Sequence, residues 1–110
     1  MRLPNADKAV IDIVKLREYC LNPGHPIGKH KARVFASALG LLAGDAGLLR
    51  DWLLEAARHD DAQLGVPDAF GQRYTLDFSV DHLGRTAVIR SCWIVLKGED
   101  FPRLTTCYLL

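Results

Sequence analysis

The sequence predicts an α+β fold, with N-terminal helices packed on one face of an antiparallel β-sheet. Three observations predict it. Apolar residues recur at helical spacing as far as His59, then alternate with period two from Tyr74 onward. Glycine and proline mark the borders, most densely at Asn22-Pro23-Gly24-His25-Pro26 and at Gly98-Glu99-Asp100-Phe101-Pro102. All the helical segments precede all the long strands, which separates the two kinds into layers instead of interleaving them. The 110 residues are enough for one domain, 1–110, with no linker and no internal repeat.

The elements follow in order. Lys8–Asp12 is a short apolar run around Val10 and Ile11 and is expected as a strand. Asp12 can cap a helix over Ile13–Leu21, because its carboxylate can accept a free N–H of the first turn. The segment Asn22–Pro26 cannot continue that helix. A second helix is expected from Gly28 to Leu39, with Gly40 as its stop. Asp45 opens a third, Ala46–His59, with Leu48, Leu49, Trp52, Leu53 and Ala56 on one face. Asp60–Gly71 is expected as a loop. Tyr74, Leu76, Phe78 and Val80 alternate with Thr75, Asp77 and Ser79, the pattern of a half-buried strand. Asp81-His82-Leu83-Gly84 makes a hairpin turn. Thr86–Leu96 is apolar on both faces and so belongs at the centre of the sheet. Lys97–Pro102 turns the chain into a last strand, Arg103–Leu109.

Composition excludes several classes. Hydrophobic residues make up 49% and charged residues 25%, ordinary globular values that rule out disordered and collagen-like chains. No apolar run reaches the roughly 20 residues of a membrane span, and Met1–Asp7 has no apolar signal core. A cytoplasmic domain, or a module of a larger protein, is expected, with no membrane partner. Cys20, Cys92 and Cys107 are odd in number and singly spaced among apolar neighbours, which fits free buried thiols and not a disulfide framework. Without CxxC or HExxH, no metal and no cofactor is expected.

The net charge of +1 hides an uneven distribution. Residues 1–35 carry seven Lys/Arg against three Asp/Glu, residues 36–81 three against eight, and residues 82–110 four against two. Two basic ends that meet in space would form a patch able to attract phosphate.

Local pattern breaks in three places, and such breaks concentrate at sites of function or strain. In the second helix, Val34, Phe35, Ala38 and Leu39, with Ile27 before them, define an apolar stripe centred on Lys31. Lys29 and Arg33 point outward, and His30 flanks the stripe. A lysine so placed either runs its stem along the sheet to solvent or sets a cation at the rim of a site. The helix start adds its own partial positive charge there. In the central strand, Arg90 interrupts one apolar face and Ser91 the other. Arg90 needs a partner, such as Asp77 on the neighbouring strand, or a wet cavity. In the last strand, Leu104, Thr106 and Tyr108 share one face, and Arg103, Thr105 and Cys107 the other.

Together these places supply Lys29, His30, Lys31, Arg90, Ser91, Arg103, Thr106 and Tyr108, with the aromatic Trp93 nearby. The set contains no carboxylate pair for glycoside hydrolysis and no acid cluster for two-metal hydrolysis. It suits metal-free cleavage of RNA. There the ribose 2′-hydroxyl attacks the adjacent phosphorus, a histidine takes its proton, and cations hold the extra negative charge. Trp93 could stack an unpaired base.

The stretches Leu3-Pro4-Asn5-Ala6, His25-Pro26-Ile27-Gly28-Lys29-His30-Lys31-Ala32-Arg33, Trp93-Ile94-Val95 and Gly98–Tyr108 resemble a family of short bacterial domains of unknown function, across nearly the whole chain. Family members keep the lysine at the position of Lys31, with an aromatic residue common at that of His30. A more distant resemblance is to the colicin D-type tRNA nucleases of the barnase–EndoU–colicin–RelE group. Lys29-His30 resembles their Lys-His pair, and Ser91-Cys92-Trp93 their Ser-x-Trp on a central strand. That resemblance implies a toxin-type ribonuclease in which Lys29 and His30 do the chemistry, His30 as base, while Ser91 and Trp93 position the substrate; the breaks in pattern add Lys31 and Ser91 to the catalytic candidates. Arg90, Trp93, Arg103, Thr106 and Tyr108 would then hold the RNA, with transfer RNA a candidate. It also implies an acidic antitoxin or immunity protein that covers the basic site. The rival function is a non-catalytic antitoxin, immunity or adaptor protein, in which Lys31 and Arg90 are structural charges; the near-neutral total charge suits it.

Overall fold

The Asp12 carboxylate accepts the Val14 N–H at 3.0 Å and opens the first helix. In the computed structural model, which describes residues 1–110, this helix (α1, Ile13–Lys15) widens into a π-helical turn over Leu16–Cys20. That turn buries Leu16 and Cys20 on one side. Helix α2 (Lys29–Leu39) ends at Gly40, whose left-handed φ of 68° is the expected glycine stop. Helix α3 covers Ala46–His59. The sheet follows, as β1 (Gln63–Leu64), β2 (Gly71–His82), β3 (Arg85–Leu96) and β4 (Arg103–Leu109), antiparallel in the order β1-β2-β3-β4. The observed fold is the α+β fold that the sequence predicts. No helix is long and apolar enough to cross a membrane.

Four elements differ from expectation. Lys8–Asp12 is not a strand. Val10 alone pairs, parallel to Arg103, giving its N–H to the Pro102 carbonyl at 2.9 Å and accepting the Leu104 N–H at 3.0 Å. A 3₁₀ turn at Ala6–Lys8 and the helix cap at Asp12 leave space for one pair between them. The loop after α3 contains β1, two residues that pair with Thr75 and Tyr74. The hairpin turn contracts to Leu83-Gly84, with φ of 53° and 75°, the geometry that matches the twist of the flanking strands. On α2 the inner stripe is Gly28, Ala32, Phe35 and Leu39, whereas Val34 and Ile27 are exposed. Phe35 and Leu39 lie inward as expected; Gly28 and Ala32 join them in place of Ile27 and Val34, because the Tyr19 carbonyl leaves no space for a side chain at Gly28.

One core joins the layers. Phe35 and Leu39 of α2, and Leu49, Leu53 and Ala57 of α3, pack with Leu16 and Cys20 against Leu76, Ile89, Trp93 and Cys107 of the sheet. Asp77, Ser79 and Asp81 alternate with the core residues of β2 and remain exposed on the other side.

Candidate functional site

The site is built by the short chain between α1 and α2. His25 folds back so that its Nδ1 accepts the N–H groups of Ile27 and Gly28, at 3.0 and 2.9 Å. Two N–H groups that the helix cannot satisfy are thereby satisfied by a side chain. The His25 ring packs edge-on against Tyr19, centroids 4.7 Å apart. Gly28 lies so close to the Tyr19 carbonyl that any Cβ would collide with it. Histidine and glycine together fix the start of α2 against the π-helical turn, and Lys31 follows one turn later.

Lys31 is half-buried. Its Nζ donates to the Thr106 Oγ1 at 3.2 Å and lies over two aromatic rings, 5.1 Å from the centroid of Tyr108 and 5.7 Å from that of Tyr19. None of the molecule's seven ion pairs includes it. A half-buried ammonium held by a hydroxyl and two ring faces keeps donor capacity and charge that no carboxylate neutralises. Such a group favours an anion.

The other cations differ. Arg90 forms a two-pronged pair with Asp77, both N–O distances 2.9 Å. This pair holds the Asp77 carboxyl below its usual range and the Arg90 guanidinium more firmly protonated. Arg103 is clamped likewise to Glu99, at 2.8 and 2.9 Å, and lies over the Phe101 ring. The hydrogen bond from Arg103 lowers the Glu99 carboxyl. Both arginines therefore carry partners, with charge already answered.

Lys31, Thr106 and Tyr108 are brought together. Arg90 stands opposite Tyr108 in the β3–β4 register. Lys29 is half-buried and His30 exposed at the start of α2, and neither forms a side-chain hydrogen bond or ion pair. Two predicted residues are removed from the site. Ser91 is fully buried, and its hydroxyl donates to the Leu76 carbonyl at 2.8 Å while accepting the Trp93 Nε1–H at 2.9 Å. Trp93 is 1% exposed. Ser91 thus anchors the indole in the core, so it offers no free hydroxyl and Trp93 offers no ring face to a base.

Tyr19, Cys20 and His25 were not among the expected site residues. The sequence signals His25 alone, through the run His25-Pro26-Ile27-Gly28, in which a histidine three residues before a glycine at a helix start can cap it. Beneath Lys31, the Cys20 thiol is drawn down to about 6, first by its hydrogen bond with Cys107, with further help from the Thr106 hydroxyl and the Lys31 charge. The same hydrogen bond and burial push the Cys107 thiol upward. No three His, Cys, Asp or Glu side chains converge as a metal site. The Lys31 site is a shallow surface: the two clefts of the molecule both border β2.

Fold and site define a small α+β domain with a free cation, ringed by tyrosines, at the edge of its sheet. The chain belongs to a family described as a domain of unknown function, DUF6883, whose model matches residues 2–110. Among curated proteins, none matches it. Among solved structures, it is similar to a chain of a contact-dependent growth inhibition toxin–immunity protein complex from Klebsiella pneumoniae 342. The two share 14% identity and superpose with a TM-score of 0.71, covering 92% of this chain and 99% of that one. At that identity the likeness is one of fold.

Proposed function

We propose that this chain is the toxin of a toxin–immunity pair, a metal-independent ribonuclease that cleaves RNA by 2′-hydroxyl attack. The observation that carries the proposal is Lys31, a half-buried cation with no carboxylate, beside a threonine hydroxyl and between two tyrosine rings. The fold neighbour from a growth-inhibition complex supports it at the level of the system.

In this mechanism Lys31 binds the phosphate to be cleaved, and Thr106 and Tyr108 hold its flanking oxygens and sugar. His30 takes the proton from the 2′-oxygen as that oxygen bonds to phosphorus. Charge then grows on the non-bridging oxygens, where the Lys31 ammonium stabilises it. The bond to the 5′-oxygen breaks, Lys31 gives that oxygen a proton, and a 2′,3′-cyclic phosphate remains. Lys29 adds positive potential at the same helix start. Transfer RNA is the proposed substrate class, cut in the cytoplasm of the target cell. The immunity partner presents carboxylates to Lys31.

A second function is favoured by one feature. Arg90 and Arg103 are already paired, and the stretch 36–81 is acidic. A chain with this balance suits an immunity protein that binds a basic toxin. Expression without a partner separates the two. The toxin arrests growth, and Lys31→Met relieves the arrest. An immunity protein leaves growth unaffected.

A further inference from the structure

The sheet has an edge that nothing covers. Strand β1 pairs only with Tyr74 and Thr75 of β2, so β2 has no outer neighbour beyond Thr75. In an antiparallel pair, alternate residues turn their backbone groups toward the partner strand. The two-residue turn makes His82 and Arg85 the closing pair of the hairpin, so even-numbered residues of β2 bond to β3 and odd-numbered ones face outward. The bond from Gly65 N–H to the outward Arg73 carbonyl, 2.8 Å, obeys this alternation. Asp77, Ser79 and Asp81 therefore present N–H and C=O groups to solvent as an unpaired strand template.

A cleft of about 320 Å³ runs beside this edge, between α3 and β2. Trp52, Ala56, Phe78 and Val80 give it an apolar floor, and Glu55 and Asp60 stand at its rim. Trp52 packs edge-on against His82, centroids 5.5 Å apart, which closes the end near the hairpin. A smaller cleft of about 190 Å³, formed by Asp61, Gln63, Thr75 and Asp77, lies at the other end. Carboxylates thus border the edge on both sides. Among them only Asp77 has an arginine partner, Arg90, while Asp61 lies 3.9 Å from the N-terminal amine and Glu55 lies 3.2 Å from His59.

We infer that the open edge of β2 docks an extended segment of a partner protein in which apolar and basic residues alternate. The segment adds as a fifth strand. Its backbone pairs with Asp77, Ser79 and Asp81, its apolar side chains enter the cleft over Trp52 and Phe78, and its basic ones, on the opposite face, meet Asp61, Asp77 and Asp81. Main-chain bonds supply affinity, and the two-sided pattern supplies specificity. The inference does not depend on the reaction proposed at Lys31, which lies beside β4 at the opposite edge of the sheet.

A capped peptide of about six residues, alternating valine and lysine, is the probe, titrated into the whole chain and followed by backbone amide NMR. The expected result is binding, with shifts and slowed exchange centred on Asp77, Ser79 and Asp81. A peptide of the same composition with its valines and lysines in separate blocks binds about tenfold more weakly. Ser79→Pro removes an outward N–H without touching the β2–β3 ladder, and abolishes binding. The double variant Asp61→Lys/Asp81→Lys changes only exposed side chains on the face that meets the lysines and weakens binding about tenfold. Absence of binding, binding that both variants leave intact, or shifts centred on Lys31 would overturn the inference. So would a concentration-dependent dimer, lost in Ser79→Pro, since the edge would then belong to a second copy of this chain.

Discussion

The two edges of this sheet have opposite constructions. The β4 edge is dressed: Val10 pairs with its start, and Lys31 rests on Thr106 and Tyr108 further along. The β2 edge is bare and bordered by acids. Neither difference is visible in a net charge of +1. The fold brings Lys31 of the basic N-terminal segment to one edge and Glu55, Asp60 and Asp61 of the acidic middle segment to the other, where the N-terminal amine faces Asp61. A single small domain can thereby offer an anion site and a cation-seeking strand template without one neutralising the other.

Substitutions can break or sharpen that contrast. The largest effect is expected at the β4 edge. Lys31→Met keeps the aliphatic stem and removes the charge, and RNA cleavage should fall by about 10²- to 10³-fold, the range for losing one preorganised charge stabiliser. Ser79→Pro, at the β2 edge, should leave cleavage within error of the parent. Equal losses from the two would show that the edges do not act separately.

Next comes the support of Lys31. Gly28→Val drives a side chain into the Tyr19 carbonyl and must lift the start of α2. Thermal unfolding should show a loss of about 1–3 kcal/mol, with cleavage reduced beyond what the unfolded fraction explains. Ser91→Ala gives the converse result. It leaves the Leu76 carbonyl and the Trp93 Nε1–H without a partner, which costs about 1–3 kcal/mol of stability. Activity measured well below the melting temperature should persist, because Ser91 is sealed in the core.

The smallest effect concerns acid. Arg90 holds the folded-state carboxyl of Asp77 below its ordinary value near 4, and Arg103 does the same for Glu99. A depressed folded-state value contributes stability above the ordinary pKa, and that contribution disappears as pH falls through the folded value. Melting temperatures should therefore fall below about pH 4. In Arg90→Ala the acid dependence should be slightly shallower, since exposed pairs contribute little.

Periodicity and punctuation revealed most of the fold. The three helices, the three long strands and the α+β layering follow from spacing and from Gly40, Gly84 and Asp12. Strand β1 escaped notice because two exposed residues carry no alternation to detect. The inner face of α2 was legible in Phe35 and Leu39 but not in Gly28 and Ala32, whose small size carries no hydrophobic signal, while Val34 and Ile27, which carry one, are exposed. Within the site, the half-buried position of Lys31 was legible, since a lysine stood on an apolar stripe. The Arg90–Asp77 pair was legible from strand alternation. Ser91 and Trp93 misled because a buried serine–indole hydrogen bond has the same local pattern as a substrate-contacting pair, and only the sheet's packing separates them. Tyr19 was hidden because a π-helical turn shifts which residues of a helix share a face.

The central claim is that an unpaired ammonium at the β4 edge handles RNA phosphate without a metal. The most direct measurement incubates the purified chain with total transfer RNA in excess chelator and analyses the new 3′ ends. The expected result is cleavage that leaves 2′,3′-cyclic phosphate termini and disappears in Lys31→Met. Intact RNA under those conditions, or cleavage that Lys31→Met sustains at the parent rate, would contradict it.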